Sequence, residues 1–233
     1  MAEPKAALSA AASTGLTSER VRARMVERVR DLGVRDPSVL QAMRRIERHR
    51  FVDAALASRA YEDTALPLGF GQTISQPYVV ARFAELALNG SFEPKSSTVL
   101  EVGTGCGYAA AVLSELFGTV FSVERVRALH EMARANLRPL RIPNLRLAFG
   151  DGMLGLPSEA PFMAIVCTAA ADDIPAAWVE QLTPSGVIVV PLGHDEQVLT
   201  VLSKSRDGRI ARRELEAVRF VPLLQGTVNA DSR

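Results

Sequence analysis

The chain has 233 residues, of which 48% are hydrophobic and 23% charged, enough for the core of one domain and unlike a collagen or a disordered chain. Its 27 Lys and Arg against 26 Asp and Glu give a formal net charge of +1, so no global field would attract nucleic acid or an anionic membrane. No apolar run reaches the roughly 18 to 20 residues that span a bilayer. We therefore expect a cytoplasmic protein without a membrane partner.

The N-terminal region is predicted to begin as a tail and to continue as helices. Residues 1–16 are rich in small residues and lack periodicity, which indicates a mobile tail. Ser18 then precedes apolar residues at helical spacing, and Gly33 follows them as a stop signal. Asp36 and Pro37 supply the cap and the first residue of a second amphipathic helix. These patterns predict an N-terminal helical layer.

Residues 53–77 mix Gly, Pro, Thr and Ser without sustained periodicity. Such a stretch is long for a structureless connection inside one domain, and long irregular loops are often functional. We therefore expect an irregular, functional loop at this place. Pro77 opens the next predicted helix, which should end near Asn89–Gly90.

From residue 98 onwards, short β-branched segments alternate with helical patterns. The predicted strands are 98–102, 119–123, 162–166 and 186–190, and the predicted helices are 108–117, 126–138 and 174–182. This alternation indicates parallel strands with crossover helices, which is a doubly wound α/β sheet. Strand-like runs at 197–203 and 216–223, separated by the turn Asp207–Gly208, predict an antiparallel hairpin at the sheet edge.

A glycine-rich turn after the first of these strands is the sharpest local motif. The segment VLEVGTGCGY (99–108) passes from a buried-type strand through three alternate glycines into a helix. Glycine allows a tight turn and a close approach of the backbone to a ligand. A dinucleotide fingerprint would need glycine where Tyr108 stands, whereas the order E-x-G-x-G-x-G is typical of a site for a nucleoside that carries a sulfonium amino acid and no phosphate. A purely structural turn remains the alternative.

Two acidic residues follow at the ends of later strands. Glu124 lies about 20 residues beyond the glycine turn, where doubly wound nucleotide-binding proteins place an acid that accepts from ribose hydroxyls. Asp151, followed by Gly152, comes after the strand-like segment LRLAFG and could accept from an adenine amino group. The alternatives are a solvated helix cap for Glu124 and a plain turn for Asp151. Because parallel strands end at one edge of their sheet, the three motifs are predicted to form one site.

Five segments carry a resemblance to a known family. They are GFGQTISQPYVVARFAEL (69–86), VLEVGTGCGY (99–108), GDGMLGLP (150–157), APFMAIVCTAAADDIPAAWVEQL (160–182) and VRFVPL (218–223). Together they resemble the protein-L-isoaspartate O-methyltransferases, over residues 19–224. The sequence T-I-S-Q-P is the most specific part, because other methyltransferases share the glycine strand but not this loop.

The resemblance implies a class I methyltransferase-like fold and the cofactor S-adenosyl-L-methionine. It also implies methylation of L-isoaspartyl residues in damaged proteins and peptides as the first step of their repair. Ser75 matches the family's active-site serine, and Gln197 matches a position near the cofactor. The candidate cofactor-binding residues, taken from the motifs and the resemblance together, are Thr73, Ile74, Glu101, Gly103, Thr104, Gly105, Gly107, Glu124, Asp151, Gly152 and Gln197.

The implied acceptor needs no catalytic base. A carboxylate with a pKa of about 4 is ionised at neutral pH, and the three histidines lie outside the matched motifs. We therefore expect Ser75 to orient the acceptor rather than to act as a nucleophile, and we expect no metal. Three residues depart from the family pattern, with a penalty in stability or geometry expected from the first: Met163 for Asp, Cys106 for Ser and Ser185 for Gly.

Two other functions remain open on the sequence. The glycine strand alone also fits a methyltransferase of RNA or of a small molecule, and Met163 is compatible with a non-catalytic cofactor-binding protein. Ten arginines against four acids between residues 20 and 50 could attract RNA, but they are interpreted as solvated helix faces. The expected partners are isoaspartyl proteins and peptides, without nucleic acid, and the expected state is a monomer.

The predicted organisation is one methyltransferase domain, 17–224, with a short tail at each end. Its parts are the N-terminal helices and active-site loop (17–97), the cofactor-binding α/β core (98–195) and the C-terminal strands (196–224), flanked by tails at 1–16 and 225–233.

Overall fold

The computed structural model of the chain describes residues 15, 17–88 and 93–229. Over these residues the α-helices are α1 (Glu19–Asp31), α2 (Pro37–Arg45), α3 (Pro77–Leu88), α4 (Tyr108–Leu116), α5 (Arg127–Leu137) and α6 (Ala176–Glu180). The strands are β1 (Leu66–Gly69), β2 (Gln72–Ile74), β3 (Thr98–Val102), β4 (Thr119–Glu124), β5 (Leu145–Phe149), β6 (Phe162–Cys167), β7 (Leu182–Leu192), β8 (Gln197–Lys204) and β9 (Ile210–Val218). Three predictions lie wholly or largely outside the described residues: the tail 1–16, the helix end at Asn89–Gly90, and the last residues of the tail 225–233.

Seven strands form one sheet in the order β5-β4-β3-β6-β7-β8-β9. The strands from β5 to β7 are parallel, and β8 and β9 continue the sheet as antiparallel neighbours. This confirms the predicted doubly wound, mostly parallel α/β sheet with antiparallel strands at its C-terminal edge. The carboxyl ends of β3, β4 and β6 therefore meet at one end of the sheet, where open α/β sheets bind their ligands.

The predicted position of the last strand is wrong. The sequence pattern predicts this strand at 216–223, whereas β9 spans Ile210–Val218. The turn at Asp207–Gly208 is tight, because Gly208 adopts a φ of +84° that L residues avoid. The strand can therefore begin two residues after this turn. The chain after Val218 leaves the sheet edge and crosses the end of the sheet.

The N-terminal helical layer forms as predicted. The helix α1 begins after Ser18, and α2 begins after Asp36, whose carboxylate accepts from the backbone N–H groups of Ser38 (2.8 Å) and Val39 (3.3 Å). This cap satisfies two of the N–H groups that a helix start leaves without an intrahelical partner. Both helices bury apolar faces and pack beside α3 and α4.

Residues 53–77 contain more regular structure than predicted. A 3₁₀-helix spans Ala54–Arg59, and β1 and β2 form a short antiparallel hairpin. Its tip is Gly69, Phe70 and Gly71, all three with positive φ. Strands of 4 and 3 residues are too short to produce a sustained period of two, so the pattern gave no sign of them. The hairpin leads directly into the loop before α3.

Apolar side chains cover both faces of the sheet. One buried cluster joins the sheet to α1, α2, α3, α4 and α5, and a second cluster lies on the opposite face around the fully buried Trp178 of α6. The indole N–H of Trp178 donates to the carbonyl oxygen of Gly152 (2.9 Å). Core packing on this face therefore fixes a residue that follows β5 at the end of the sheet.

Candidate active site

A cleft of about 780 Å³ opens at the carboxyl ends of the parallel strands. It is lined by the β1–β2 hairpin, the start of α3, the glycine turn, the end of β4 and the chain after β9. Eight of the twelve predicted site residues line it: Thr73, Ile74, Ser75, Gly103, Thr104, Gly105, Glu124 and Gly152. The other four, which lie outside the lining, are Glu101, Gly107, Asp151 and Gln197.

The three glycines of the turn have different reasons to be glycine. All three have positive φ, at +95° for Gly103, +54° for Gly105 and +90° for Gly107. A Cβ on Gly103 would come within 2.7 Å of the Thr168 hydroxyl, and a Cβ on Gly107 within 2.8 Å of Leu137. Gly107 therefore allows close helix packing, which is the purely structural role that the sequence left open for this turn. Gly103 and Gly105 present bare backbone to the cleft, which is what a bound nucleoside requires.

Glu124 holds the glycine turn from below. Its side chain is buried, and its Oε2 accepts from the backbone N–H of Gly105 (2.9 Å). Its Oε1 accepts from the backbone N–H of Val126 (2.8 Å), just before α5. A carboxylate has about four lone-pair directions, so both oxygens keep acceptor capacity toward the cleft. Glu124 therefore binds the backbone just before α5, as expected for a residue at a helix start, and can still accept hydrogen bonds from a ligand in the cleft.

Glu101 lies inside the protein, beneath the cleft. Its carboxyl group is fully buried and accepts from the Ser122 hydroxyl, which is in turn 2.6 Å from the Thr104 hydroxyl. Burial raises the pKa of Glu101 to about 8, and the nearby charge of Glu124 adds to the rise. Glu101 is therefore mainly protonated at neutral pH. It reaches the cleft only through Ser122 and Thr104.

Asp151 and Gln197 both bind backbone near the cleft. Asp151 accepts from the N–H of Met153 (2.9 Å) and, with its other oxygen, from the N–H of Gly226 (2.6 Å). Gln197 accepts from the N–H of Phe220 (2.6 Å) and donates to its carbonyl (3.0 Å). The first pair holds the turn at Gly152 and the second holds Phe220. Both residues thus position parts of the cleft wall.

Ser75 lies in the loop between β2 and α3, on the wall of the cleft. The Asp63 carboxylate accepts from the backbone N–H of Tyr78 (2.8 Å) and so fixes the start of α3 behind this loop. None of the three histidines lines the cleft, and within the described ranges the Ser75 hydroxyl has no hydrogen-bond partner. The hydroxyl is therefore available to a ligand but has no activating base beside it.

Sequence reasoning missed a charged group at the cleft. Arg82 of α3 donates through Nε to Glu216 of β9 (3.0 Å) and through Nη1 to Glu85 (3.0 Å). The Tyr78 hydroxyl donates to the same Glu216 oxygen (3.4 Å). The spacing of Tyr78 and Arg82 on one helix face was the available signal. Glu216 lies 134 residues from Arg82 in the chain, so no local pattern could have identified it.

The chain after β9 was also misread, because the described part of the predicted tail 225–233 is not free. Residues 222–229, here called the C-terminal strap, run across the ends of β6, β5 and β4. Val228 bridges Val126, and its carbonyl accepts from the N–H of Arg127 (2.9 Å). Arg125 donates to the carbonyl of Gly226 (2.8 Å). These bonds join loops distant in sequence and leave no periodic signal.

Comparison with known proteins assigns the chain to a family. The model of the family described as Protein-L-isoaspartate(D-aspartate) O-methyltransferase matches residues 20–228. The chain belongs to this family. A family member of Dechloromonas aromatica (strain RCB) is 54% identical over 213 residues, which are 91% of this chain and 97% of the relative. Another of Burkholderia mallei (strain SAVP1) is 54% identical over 229 residues, 97% of this chain and 70% of the relative.

Solved structures give the same result for the fold. A protein-L-isoaspartate O-methyltransferase structure aligns with a TM-score of 0.77 at 30% identity, over 86% of this chain and 65% of that chain. A Plasmodium falciparum beta-aspartate methyltransferase, solved in complex with S-adenosyl-L-homocysteine, aligns with a TM-score of 0.76 at 24% identity, over 87% of this chain and 98% of that chain. The class I methyltransferase fold expected from the sequence is therefore confirmed.

The three departures from the family pattern have separate local settings. Cys106 is buried, and burial raises the pKa of its thiol to about 11, so it is an inert part of the core. Ser185 adopts a φ of +68°, where glycine would avoid the strain of an L side chain. Met163 is half-buried, and the Thr183 hydroxyl donates to its sulfur (3.7 Å). The penalty expected from Met163 stays a prediction.

Residues 15, 17–88 and 93–229 contain neither a membrane-spanning helix nor a cluster of metal ligands. Within them, no helix has the length and apolar character needed to cross a membrane. No group of three or more His, Cys, Asp or Glu side chains within these ranges is arranged to hold a metal ion.

Proposed function

We propose that this chain transfers a methyl group from S-adenosyl-L-methionine to the free carboxylate of L-isoaspartyl residues in proteins and peptides, which starts their repair. Membership of the family supports the reaction class. The observation that carries the proposal is a juxtaposition in one cleft. The Ser75 loop and the glycine turn with Glu124 line the same cavity, although 25 or more residues separate them in the chain.

The residues of the cleft fit the cofactor. Gly103 and Gly105 offer backbone that a bound nucleoside can approach, and the buried carboxylate of Glu124 can accept from ribose hydroxyls. The volume of about 780 Å³ lies in the range of small-molecule sites. When bound, S-adenosyl-L-methionine supplies an electrophilic methyl group on a sulfonium centre. Thr73, Ile74, Thr104 and Gly152 would complete the wall around it.

The acceptor requires orientation rather than deprotonation. An isoaspartyl carboxylate has a pKa of about 4 and is already a nucleophile at neutral pH. Ser75 would donate its hydroxyl hydrogen to one carboxylate oxygen and hold the other toward the methyl group. Ile74 and Phe220 on the cleft wall exclude water, which would otherwise solvate and weaken the nucleophile. Correct placement of two reactants can contribute on the order of 7 to 11 kcal/mol.

The four predicted residues outside the cleft lining are proposed to position it. Glu101 supports Thr104 through Ser122, and Gly107 allows α5 to pack directly against the turn. Asp151 and Gln197 hold Gly152 and Phe220 through backbone hydrogen bonds. None of the four needs to touch the cofactor for these effects.

The deciding experiment uses paired peptides. Two peptides of the same sequence, one with L-isoaspartate and one with L-aspartate, are incubated with the protein and cofactor labelled in its methyl group. We expect base-labile label in the isoaspartyl peptide alone. Equal labelling of both peptides, or label transferred to RNA and to neither peptide, would refute the proposal. Cofactor binding by calorimetry with no labelled product would indicate a non-catalytic binding protein instead.

Cytoplasmic location, absence of a nucleic-acid partner and a monomeric state are kept as proposals. Two observations are compatible with them. Cys106 and Cys167 are both free and buried, and several arginines of the N-terminal helices pair with carboxylates, as Arg22 does with Glu47 (3.3 Å) and Arg45 with Glu115 (2.9 Å). Sedimentation of the purified protein, with and without RNA, measures the last two directly.

A further inference from the structure

Phe70, at the tip of the β1–β2 hairpin, is the large apolar residue with the greatest exposure in the described part of the chain, at 61%. It belongs to neither buried cluster and makes no ring contact with another described aromatic residue. Single exposed apolar residues are common on proteins. Exposure alone therefore does not indicate a role for Phe70. Its backbone conformation and its place on the hairpin do.

The backbone at Phe70 is unfavourable for a side chain. Its φ is +54°, between Gly69 at +88° and Gly71 at +67°. A Cβ added to either glycine would meet no atom within 4 Å, so the tip projects away from the rest of the molecule. A third glycine would adopt this conformation without strain. The phenylalanine thus costs free energy in the backbone while most of its surface stays exposed, a combination typical of sites that serve a ligand.

The hairpin that carries Phe70 is also a wall of the cleft. Leu68 before the tip and Gln72 after it both line the cavity, and Ser75 follows after β2. Five residues of extended chain cover at most about 17 Å. A polypeptide bound in an extended conformation along the hairpin, with its isoaspartyl residue at Ser75, would reach Phe70 within about five residues. Phe70 therefore stands beside the path of the residues that flank the acceptor.

The charged side chains near this wall, one arginine and two glutamates, are already paired with one another. Arg82 is paired with both Glu216 and Glu85, and the Tyr78 hydroxyl bonds to Glu216. A flanking acidic or basic side chain of a substrate would have to compete with these bonds. The surface on the hairpin side is thus better suited to an apolar side chain than to a charged one.

We propose that Phe70 is an apolar anchor for the substrate polypeptide. Its ring contacts an aromatic or branched aliphatic side chain three to five residues from the isoaspartyl residue, on one side of it. The proposal rests on the proposed function, and it makes Phe70 a specificity-determining residue. It acts on substrate binding and not on methyl transfer, since Phe70 itself lies outside the lining of the cleft that contains the glycine turn.

The test uses isoaspartyl peptides of Gly and Ser in which one Phe is moved from position −6 to position +6. With the wild-type chain, we expect the KM to fall about tenfold when the Phe stands at one site three to five residues from the acceptor. Phe70→Ala should return this KM to that of the peptide without Phe and leave kcat and the KM for the cofactor unchanged. Ile210→Ala removes another exposed apolar residue, at the start of β9, whereas the cleft is lined by the end of this strand. This variant should behave as the wild type.

Phe70→Gly separates selectivity from folding. It removes the strain at the tip, so its thermal midpoint should equal or exceed that of the wild type while the preference for Phe is lost. Two results would overturn the proposal. One is a KM that does not depend on the position of the Phe, and the other is a Phe70→Ala effect of equal size on the preferred Phe peptide and on the peptide without Phe. If no isoaspartyl peptide is methylated at all, the proposed function fails instead. The two failures are therefore distinguishable.

Discussion

At the scale of the residue, Ser75 is proposed to orient the acceptor carboxylate through its hydroxyl and not to act as a nucleophile. It lines the cleft, but none of the histidines does. The acceptor carboxylate already carries the charge that attacks the methyl group. In the proposed reaction the hydroxyl directs the attack, so its removal should affect turnover more than cofactor binding.

Ser75→Ala tests this separation. We expect kcat to fall roughly 10- to 100-fold, since a misdirected acceptor spends less time in line with the methyl group. The dissociation constant of S-adenosyl-L-methionine should stay the same, because the glycine turn and Glu124 are untouched. Steady-state kinetics and calorimetry measure the two quantities. The exposed Ser96→Ala serves as the control, and an unchanged kcat in Ser75→Ala would remove Ser75 from the reaction.

Glu101 is the second residue whose environment makes a specific prediction. Its folded-state pKa of about 8 is far above the ordinary carboxyl value, because the charged form loses its hydration inside the protein. Between pH 5 and 8 the folded state thus holds a proton that the unfolded state has lost. The Glu101 carboxyl should therefore make the free energy of unfolding decrease as pH rises through this range and level off above it.

Glu101→Gln removes this titration and keeps the shape of the side chain. We expect the free energy of unfolding of the wild type, relative to that of the variant, to decline from pH 5 to pH 8 and to become constant above pH 8. Urea denaturation at a series of pH values measures the difference. The exposed Glu131→Gln on α5 should give a constant difference. If Glu101→Gln also gives a constant difference, Glu101 does not carry a buried proton.

At the scale of the element, the C-terminal strap shows how a segment without regular structure is held in place. Its anchors are Asp151 on Gly226, Arg125 on the same residue, and the bridge between Val126 and Val228. The anchors lie at the carboxyl ends of β5 and β4, next to Glu124. The strap and the predicted nucleoside site are thus fixed by neighbouring residues of the same loops.

Asp151→Ala should loosen the strap. The variant leaves the N–H groups of Met153 and Gly226 without their acceptor, a loss of about 1 to 3 kcal/mol. We expect amide hydrogen exchange in 225–229 to speed up roughly 10- to 100-fold while exchange in β9 stays slow. Mass-spectrometric hydrogen exchange measures both segments. Asp207→Ala in the exposed hairpin turn is the control, and unchanged exchange in 225–229 would show that Asp151 is not an anchor.

At the scale of the whole molecule, each face of the sheet is covered by its own buried cluster, and each cluster contains one cysteine. Cys106 lies in the cluster on the side of the N-terminal helices, and Cys167 lies in the cluster around Trp178. Burial raises the pKa of the first thiol to about 11 and that of the second to about 12. Both thiols are almost fully buried, although Cys106 is a residue that lines the cleft, so the labelling of each one reports on the opening of its own face.

The two thiols should react together. At pH 8 we expect both to be labelled at one rate, at least roughly 10³-fold slower than an exposed cysteine, since both require global unfolding. Mass spectrometry of the labelled protein over time measures the two sites, with Ser96→Cys as the exposed reference. Fast labelling of one thiol alone would mean that its face opens independently of the other.

The sequence determined the parts whose causes are local in the chain. The parallel strands, the helix start after Ser18, the cap at Asp36 and the glycine turn follow from periodicity and from backbone preferences that a few neighbouring residues express. Five of the predicted site residues, Gly103, Thr104, Gly105, Glu124 and Gly152, line the cleft because parallel strands must end at one edge of their sheet. The family resemblance added Ser75, whose role no local pattern would have suggested.

Only the tertiary structure decided the rest. The hairpin of β1 and β2 is too short to show a period, and the position of β9 follows from the tight turn at Gly208. The strap, the pairing of Arg82 with Glu216 and the burial of Glu101 depend on contacts between residues far apart in the chain. Such contacts form when the sheet brings distant loops together, and a side chain's partners and hydration are then set by the fold rather than by its neighbours in sequence.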